Sequence, residues 1–281
     1  VIPARFDYET AESVDHAVEL LGRGGGDAKL LAGGHSLIPA LRLRIARPSL
    51  LVDVGRLTDL SYVRDAGTQL AIGALTRHKA LRDDPLLQEH CPLVSTTAGQ
   101  IGDPQVRHRG TIGGSLAHGD PASDLPAVML ALGAEMVVRG RGGERVVPAA
   151  SFFTGVFETA VGPDEMLVEV RVPKLGASTG WSYVKYHRRA QDWATVGVAA
   201  LVHRDGTSLV GASIGLTNMG ATPVRATAAE DAVAAGASIA DAAARAAEGA
   251  DPPSDQAASA EYRRHLACVL TRRALDEAAS R

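Results

Sequence analysis

The residues best suited to chemistry in this chain are two glycine-bearing runs, Ala32-Gly33-Gly34-His35-Ser36-Leu37 and Thr111-Ile112-Gly113-Gly114-Ser115. Glycine lets a backbone turn through positive φ and approach a ligand closely. A hydroxyl residue beside it can cap a following helix. Backbone N–H groups at such a helix start attract anions such as phosphate. Two loops of this kind predict a diphosphate gripped from two sides, and hence a dinucleotide cofactor. The competing reading is that each glycine pair only turns the chain. No G-x-G-x-x-G pattern occurs, which argues against a Rossmann site, and no G-x-x-x-x-G-K-[ST] pattern occurs, which argues against a P-loop.

Other polar residues carry weaker signals. His35 lies inside the first run, where it either lines a pocket or bonds locally. His118, Asp120 and Asp124 are close in sequence, but Asp120-Pro121 and Ser123-Asp124 read as turn and N-cap chemistry, not as a metal site. A capping Asp124 remains able to accept a hydrogen bond from a ribose or ribityl hydroxyl. Trp193, one of two tryptophans, sits beside Gln191 and Asp192 and reads either as an interface aromatic or as a wall near a flat heterocycle. Lys185 lies in a strand between Tyr183 and Tyr186, where it is either solvated or turned toward a negatively charged cofactor. Cys91 and Cys268 fit no metal or redox spacing and are expected to be small buried thiols, so the chain cannot itself hold a four-cysteine iron–sulfur cluster.

The elements that must position these residues follow from periodicity and punctuation. Ser13 to Leu21 reads as a capped helix with Val14, Ala17, Val18 and Leu21 on one face. Lys29-Leu30-Leu31 reads as a strand running into the first loop, and Leu37 to Ile45 as a short helix. Leu50 to Val54, Tyr62-Val63 and Leu70 to Ile72 read as strands. Thr76 is placed to cap a helix from Arg77 to Leu81, with further helices near Leu86 to Glu89 and Leu93 to Ala98. Gly99 to Ser123 reads as a long irregular stretch, which in a compact domain is usually functional. Asp124 to Leu132 returns to helix, and Met136-Val137-Val138 with Arg145-Val146-Val147 forms a hairpin around Gly140 to Gly143. Leu167 to Val172 is a strand. Trp181 to Tyr186, Thr195 to Val202 and Leu209 to Leu216 are three more, followed by alanine-rich helices that end with one over about Ser259 to Ala279. Strands followed by a run of helices indicate an α+β class.

The 281 residues suffice for two domains, and 46% hydrophobic with 22% charged residues is ordinary for a globular chain. A net charge of −3 gives no reason to expect nucleic acid as a partner. No apolar run is long enough to span a bilayer, and Val1 to Asp7 lacks the pattern of a signal peptide. The expected location is cytoplasmic, with the inner face of the membrane as a further position.

Beyond the glycine pairs, a longer motif runs from Ile101 through Asp103-Pro104-Gln105-Val106-Arg107-His108-Arg109-Gly110 to Ser115. It continues in His118-Gly119-Asp120-Pro121-Ala122-Ser123-Asp124-Leu125-Pro126, with Lys185-Tyr186-His187-Arg188-Arg189 further on. Together with Ala32 to Leu37, it resembles the FAD-binding medium subunit of molybdenum hydroxylases, the carbon monoxide dehydrogenase type most closely. The flavin domain of xanthine dehydrogenase is a relative. The resemblance covers essentially the whole chain. It implies an α+β fold, with an FAD-binding domain of two subdomains of the vanillyl-alcohol-oxidase-like type over residues 1–173. A smaller C-terminal domain of three-stranded antiparallel sheet plus helices would cover 174–281.

The same resemblance places cofactor contacts on Lys29, Leu30, Leu31, Ala32, Gly33, Gly34, His35 and Ser36, and on Thr111, Ile112, Gly113, Gly114 and Ser115. Ile101, Leu167, Asp124 and Lys185 match further cofactor-contacting positions. Trp193 falls where related subunits carry a tyrosine beside the isoalloxazine ring; an indole N–H donates but cannot accept. No catalytic acid, base or nucleophile and no metal ligand is assigned. The implied role is electron transfer from iron–sulfur clusters of a small subunit to an external acceptor (quinone, oxygen or NAD). A molybdenum-cofactor large subunit oxidises the substrate, within a dimer of heterotrimers. Two other readings stand beside it: a self-sufficient flavin oxidoreductase acting on its own small substrate, and a dinucleotide-binding regulatory module.

Overall fold

Three main sheets, each with its own helices, build the chain, and a short two-stranded pair is added to the second. The computed structural model describes residues 2–206 and 208–281. The first unit comprises β1 (Asp7–Thr10), α1 (Val14–Arg23), β2 (Ala28–Leu31), α2 (Leu37–Arg42) and β3 (Leu50–Asp53). Its strands are parallel in the order β1-β3-β2. Ser13 caps α1 by accepting from the His16 amide, and Ala17, Val18, Leu20 and Leu21 bury its inner face. The helix expected to reach Ile45 stops at Arg42, because Arg44 takes a left-handed φ of 58°.

The second unit begins with β4 (Val63–Ala66) and β5 (Gln69–Gly73). Six helices follow: α3 (His78–Asp83), α4 (Pro85–His90), α5 (Pro92–Gly99), α6 (Pro104–Arg109), α7 (Ile112–His118) and α8 (Asp124–Leu132). Then come β6 (Glu135–Gly140), β7 (Gly143–Pro148), α9 (Ala149–Phe152), the short pair β8 (Phe153–Gly155) and β9 (Glu158–Thr159), and β10 (Met166–Pro173). The main sheet is antiparallel in the order β4-β5-β10-β6-β7. The expected hairpin is present, with Gly140 paired to Gly143. Two expectations are corrected. Thr76 does not cap α3; its hydroxyl exchanges hydrogen bonds with the Tyr62 backbone instead. The stretch from Gly99 to Ser123 is not irregular: it holds α6, capped by Asp103 onto the Val106 amide, and α7, capped by Thr111 onto the Gly114 amide.

The third unit comprises β11 (Thr179–Tyr186), β12 (Val196–Asp205), β13 (Ser208–Thr217) and β14 (Val224–Arg225), followed by α10 (Thr227–Ala234), α11 (Ile239–Ala244) and α12 (Ala260–Ala279). The sheet is antiparallel in chain order, with the two-residue β14 added to the three expected strands. Strand alternation lets β12 serve two cores. Val196, Val198, Ala200 and Val202 pack against Leu266, Leu270 and Leu275 of α12. Ala199 and Leu201 point the other way and join Leu116, Leu125, Met129, Phe152 and Val170 of the second unit. The first unit meets the second through Val18 and Leu20 with Val137, Met166 and Val168. Cys91 is buried and its thiol is pushed up to about 12 by that burial. Cys268, expected to be buried, is half-exposed on α12.

Candidate functional site

Strand β2 delivers the chain into the first glycine loop. Gly34 adopts φ +77°, a conformation that penalises any side chain, and its carbonyl accepts from the Ile38 amide at 2.9 Å. At Gly33 a Cβ atom would lie 2.3 Å from the Arg109 carbonyl oxygen, so the loop is pressed directly against the residues that precede the second loop. Among the described residues, no backbone or side-chain acceptor takes the amide N–H of any residue from Ala32 to Leu37. Six unpartnered amide donors in a row are able to hold an anion. The expected hydroxyl cap is absent, however. Ser36 is already helical (φ −97°, ψ −45°) and makes no capping bond, which leaves its hydroxyl available.

The second loop works differently, and the expectation of a second amide cradle is corrected. Ile112, Gly113, Gly114 and Ser115 donate their amides to the Thr76 carbonyl, the Ala74 carbonyl, the Thr111 hydroxyl and the Thr111 carbonyl. The loop forms a wall, not a set of donors. A Cβ at Gly113 would lie 2.7 Å from the Ala74 carbonyl oxygen, so this glycine allows α7 to lie against the chain leaving β5. A Cβ at Gly114 would meet only the Thr111 hydroxyl, at 2.8 Å. Gly114 is exposed, and with the half-buried Ser115 it faces outward. Alanine at Gly113 is therefore expected to destabilise the fold by about 1–3 kcal/mol. Alanine at Gly114 should leave the chain folded, at a cost of about 1 kcal/mol for the disturbed cap. Denaturant midpoints of the two variants check the contrast.

His78 braces the chain at the start of the second loop. Its amide donates to the Gly110 carbonyl at 3.0 Å, and a bridge pairs Arg77 with Thr111. The His78 ring is buried, with Nδ1 unpartnered. Burial first, then the nearby charges of Arg77, His35 and Arg107, push its pKa down from 6.5 to about 4. The unfolded chain thus binds a proton between these values that the folded chain refuses. Stability present above pH 6.5 is lost as pH falls toward 4, by about 3 kcal/mol. Unfolding free energies at neutral and acid pH should show this slope in the wild type and a shallower one in His78→Gln.

A second group of candidates assembles at the start of α8. Asp124 is buried; Tyr183 donates its hydroxyl to Oδ1 at 2.6 Å, and Lys185 Nζ lies 3.0 Å from Oδ2. Lys185 also donates to the Gln100 carbonyl at 3.3 Å, and Gln100 Nε2 reaches the Tyr183 carbonyl at 3.4 Å. Ile101 therefore sits beside this cluster, half-buried against the same core. Burial pushes the Asp124 carboxyl above its ordinary value, and the Lys185 ammonium and Tyr183 hydroxyl pull against that shift. Tyr183 was missed in the sequence, although its place two residues before Lys185 in one strand puts both side chains on one face. Asp120 keeps its expected turn role by accepting from the Ala122 amide, and the His118 ring packs 5.0 Å from that of Phe157.

Not every candidate converges. Leu167 is buried in β10, paired with Val138, and its side chain belongs to the core. Lys29 is exposed on β2, and Leu30 and Ala32 pack against the first unit's core. Trp193 is 68% exposed on the segment joining β11 to β12. The foot of that segment is pinned. Thr195 donates to the Tyr186 carbonyl, while Asn218 Nδ2 donates to the Ala194 carbonyl at 2.9 Å. The fully buried Arg263 reaches the Thr195 carbonyl at 2.6 Å and Asp255 at 2.7 Å. Asn218 itself has φ 62°, and its amide donates to the Pro121 carbonyl just ahead of α8.

Comparison with known proteins places this arrangement in a family. Residues 4–175 match the family described as the FAD binding domain in molybdopterin dehydrogenase, and residues 181–278 match the CO dehydrogenase flavoprotein C-terminal domain. The chain is 41% identical to the carbon monoxide dehydrogenase medium chain of Hydrogenophaga pseudoflava, covering 100% of this chain and 99% of that one. It is 40% identical to the 6-hydroxypseudooxynicotine dehydrogenase complex subunit alpha of Paenarthrobacter nicotinovorans, covering 99% and 96%. The structure superimposes on that of the Hydrogenophaga pseudoflava carbon monoxide dehydrogenase with a TM-score of 0.96 at 43% identity, covering 100% and 99% of the two chains. Against quinoline 2-oxidoreductase of Pseudomonas putida 86 the TM-score is 0.94 at 32% identity, with the same coverage. By sequence and by fold, the chain belongs to the FAD-binding medium subunits of molybdopterin-dependent dehydrogenases, of the carbon monoxide dehydrogenase flavoprotein type, and FAD is its cofactor.

Proposed function

We propose that this chain is the electron-transfer subunit of a heteromeric molybdenum hydroxylase, passing electrons from the iron–sulfur clusters of a partner subunit to an external acceptor. The observation that carries the proposal is the row of free amides from Ala32 to Leu37, pressed at Gly33 against Arg109 and Gly110, which lead into the Thr111–Ser115 wall. Such a row holds a diphosphate by its backbone, independently of side-chain charge. The Ser36 and Ser115 hydroxyls supply further donors along the cofactor. In this reading the Asp124–Lys185 pair lines the flavin end with Ile101, and Trp193 stands where an aromatic wall is needed. The division at residue 173 into a cofactor-binding part and a C-terminal part belongs to the same reading.

When bound, the flavin supplies the redox chemistry, because it accepts electrons singly and releases them in pairs. The protein's part is to position it and set its surroundings. No side chain of the site is placed as a nucleophile or a general acid. Relatives named for carbon monoxide, 6-hydroxypseudooxynicotine and glyceraldehyde share this flavin subunit at 36–41% identity. That spread supports choice of substrate on another subunit.

The test is to load the full chain with FAD and mix it with the reduced iron–sulfur subunit. Bleaching of the flavin, followed by reoxidation with a quinone, oxygen or NAD, is the expected result. Turnover of an organic substrate by this chain alone would overturn the proposal in favour of a self-sufficient oxidoreductase. A bound flavin that no reductant bleaches would favour a regulatory module.

A further inference from the structure

Helices α3 and α6 lie side by side and form two adjoining shallow depressions of about 460 and 480 Å³. Arg77, Lys79, Arg82, Arg107, His108 and Arg109 supply the basic groups of their lining, and both depressions share Lys79, His108 and Arg109. The chain as a whole carries a net charge of −3, so this concentration of cations is local. The one carboxylate in the lining, Asp83, is held by Arg82 at 2.7 Å. Asp84 and Asp103 nearby are committed to capping α4 and α6. Arg107 Nη1 is taken up by the carbonyls of Ile101 and Gly102, and the Arg77 guanidinium by the Arg109 carbonyl. Among the described residues, the side chains of Lys79, His108 and Arg109 have no acidic or carbonyl partner. Arg77 is shifted downward by burial and then by the adjacent charge of Arg109, so like charges crowd each other here. Such crowding is relieved by an anionic surface.

We infer that this α3–α6 face docks an acidic protein surface, that of the iron–sulfur subunit. The inference rests on the electron-transfer reading above. The face is shallow, and its cations are strung along two helices. They line two adjoining depressions, which suits an extended acidic surface better than a single phosphate. It also begins at the wall of the cofactor cradle, because the Arg109 carbonyl abuts Gly33. Arg107 of the same face also bonds the carbonyl of Ile101, which the proposed site puts at the flavin end; electron tunnelling weakens steeply with distance, so a donor docked here approaches that end. The side chains of Lys79 and His108 lie outside the proposed cofactor contacts, so charge can be changed there without touching them. Complementary charge of this kind chiefly accelerates and orients encounter.

The test compares the full FAD-loaded chain with a Lys79→Glu/His108→Glu variant and with an Arg272→Glu/Arg273→Glu control on the exposed face of α12. Association with the iron–sulfur subunit is followed at stepped ionic strength. Flavin absorbance confirms that each variant is folded and loaded. The expected result is a roughly tenfold or larger fall in association rate for the α3–α6 variant at low salt, vanishing at high salt, with the control unchanged. Association that ignores both the substitutions and the salt overturns the docking assignment while leaving the flavin reading intact. Inorganic pyrophosphate binding to the FAD-loaded chain, lost in the variant whose partner association is normal, reassigns the face to a small anion. A wild-type chain that retains no FAD refutes the parent reading instead.

Discussion

Replacing Gly33 with alanine is expected to strip FAD from the chain and to lower its stability by about 1–3 kcal/mol. The added Cβ would stand 2.3 Å from the Arg109 carbonyl oxygen and 3.0 Å from the Gly110 Cα, both backbone atoms. Neither neighbour is a flexible side chain that can swing aside, so the seam between the two loops has to open. Gly34→Ala provides the comparison. Its Cβ would meet the end of the Ile38 side chain at 2.6 Å, which can move, but the φ of +77° costs about 1–2 kcal/mol for any L side chain. The two substitutions strain the loop by different routes and should converge on one phenotype, loss of flavin absorbance after dialysis. A Gly33→Ala chain that keeps a full complement of FAD would show that the cofactor does not depend on this seam.

The second large effect is expected from Lys185→Met, which should cost about 3–5 kcal/mol near neutral pH. The ammonium lies 3.0 Å from a carboxylate whose one other hydrogen bond, among the described residues, comes from the Tyr183 hydroxyl, in a buried setting. Without it, burial drives the Asp124 carboxyl further above its ordinary value of 3.8. A raised native carboxyl means that the folded chain holds a proton the unfolded chain has released. The deficit of the variant should therefore grow as pH rises from 3.8 and shrink in acid. Adding Asp124→Leu should recover much of the loss, because a pair removed together leaves no lone buried charge. Unfolding free energies for the two single variants and the double variant, at acid and neutral pH, complete the cycle.

Much of this site is legible in the residues themselves. The α1 cap at Ser13, the hairpin around Gly140 to Gly143 and the long α12 all follow from strong local patterns, and each is present. The first glycine loop shows the left-handed glycine and the free amides that its composition predicts, though not the Ser36 cap. The rest depends on partners far away in sequence. That Ile112 and Gly113 would spend their amides on Thr76 and Ala74 is set by how α7 lies against β5, which no local pattern encodes. Helices α6 and α7 are short and rich in Gly, Pro and charge, so periodicity has too few turns to register; only the caps Asp103 and Thr111 mark them. The grip of Lys185 and Tyr183 on Asp124 joins positions about sixty residues apart through tertiary packing.

The pinned foot below Trp193 bears on how such chains can be re-engineered. Asn218 ties the Ala194 carbonyl to the Pro121 carbonyl ahead of α8, and Arg263 clamps Thr195 from within the helical layer. The tip from Arg188 to Trp193 projects from this anchorage without carrying the core. Cassettes from sister proteins can therefore be grafted onto the tip, whereas a graft that includes Ala194 or Thr195 must bring its own Asn218 and Arg263 with it.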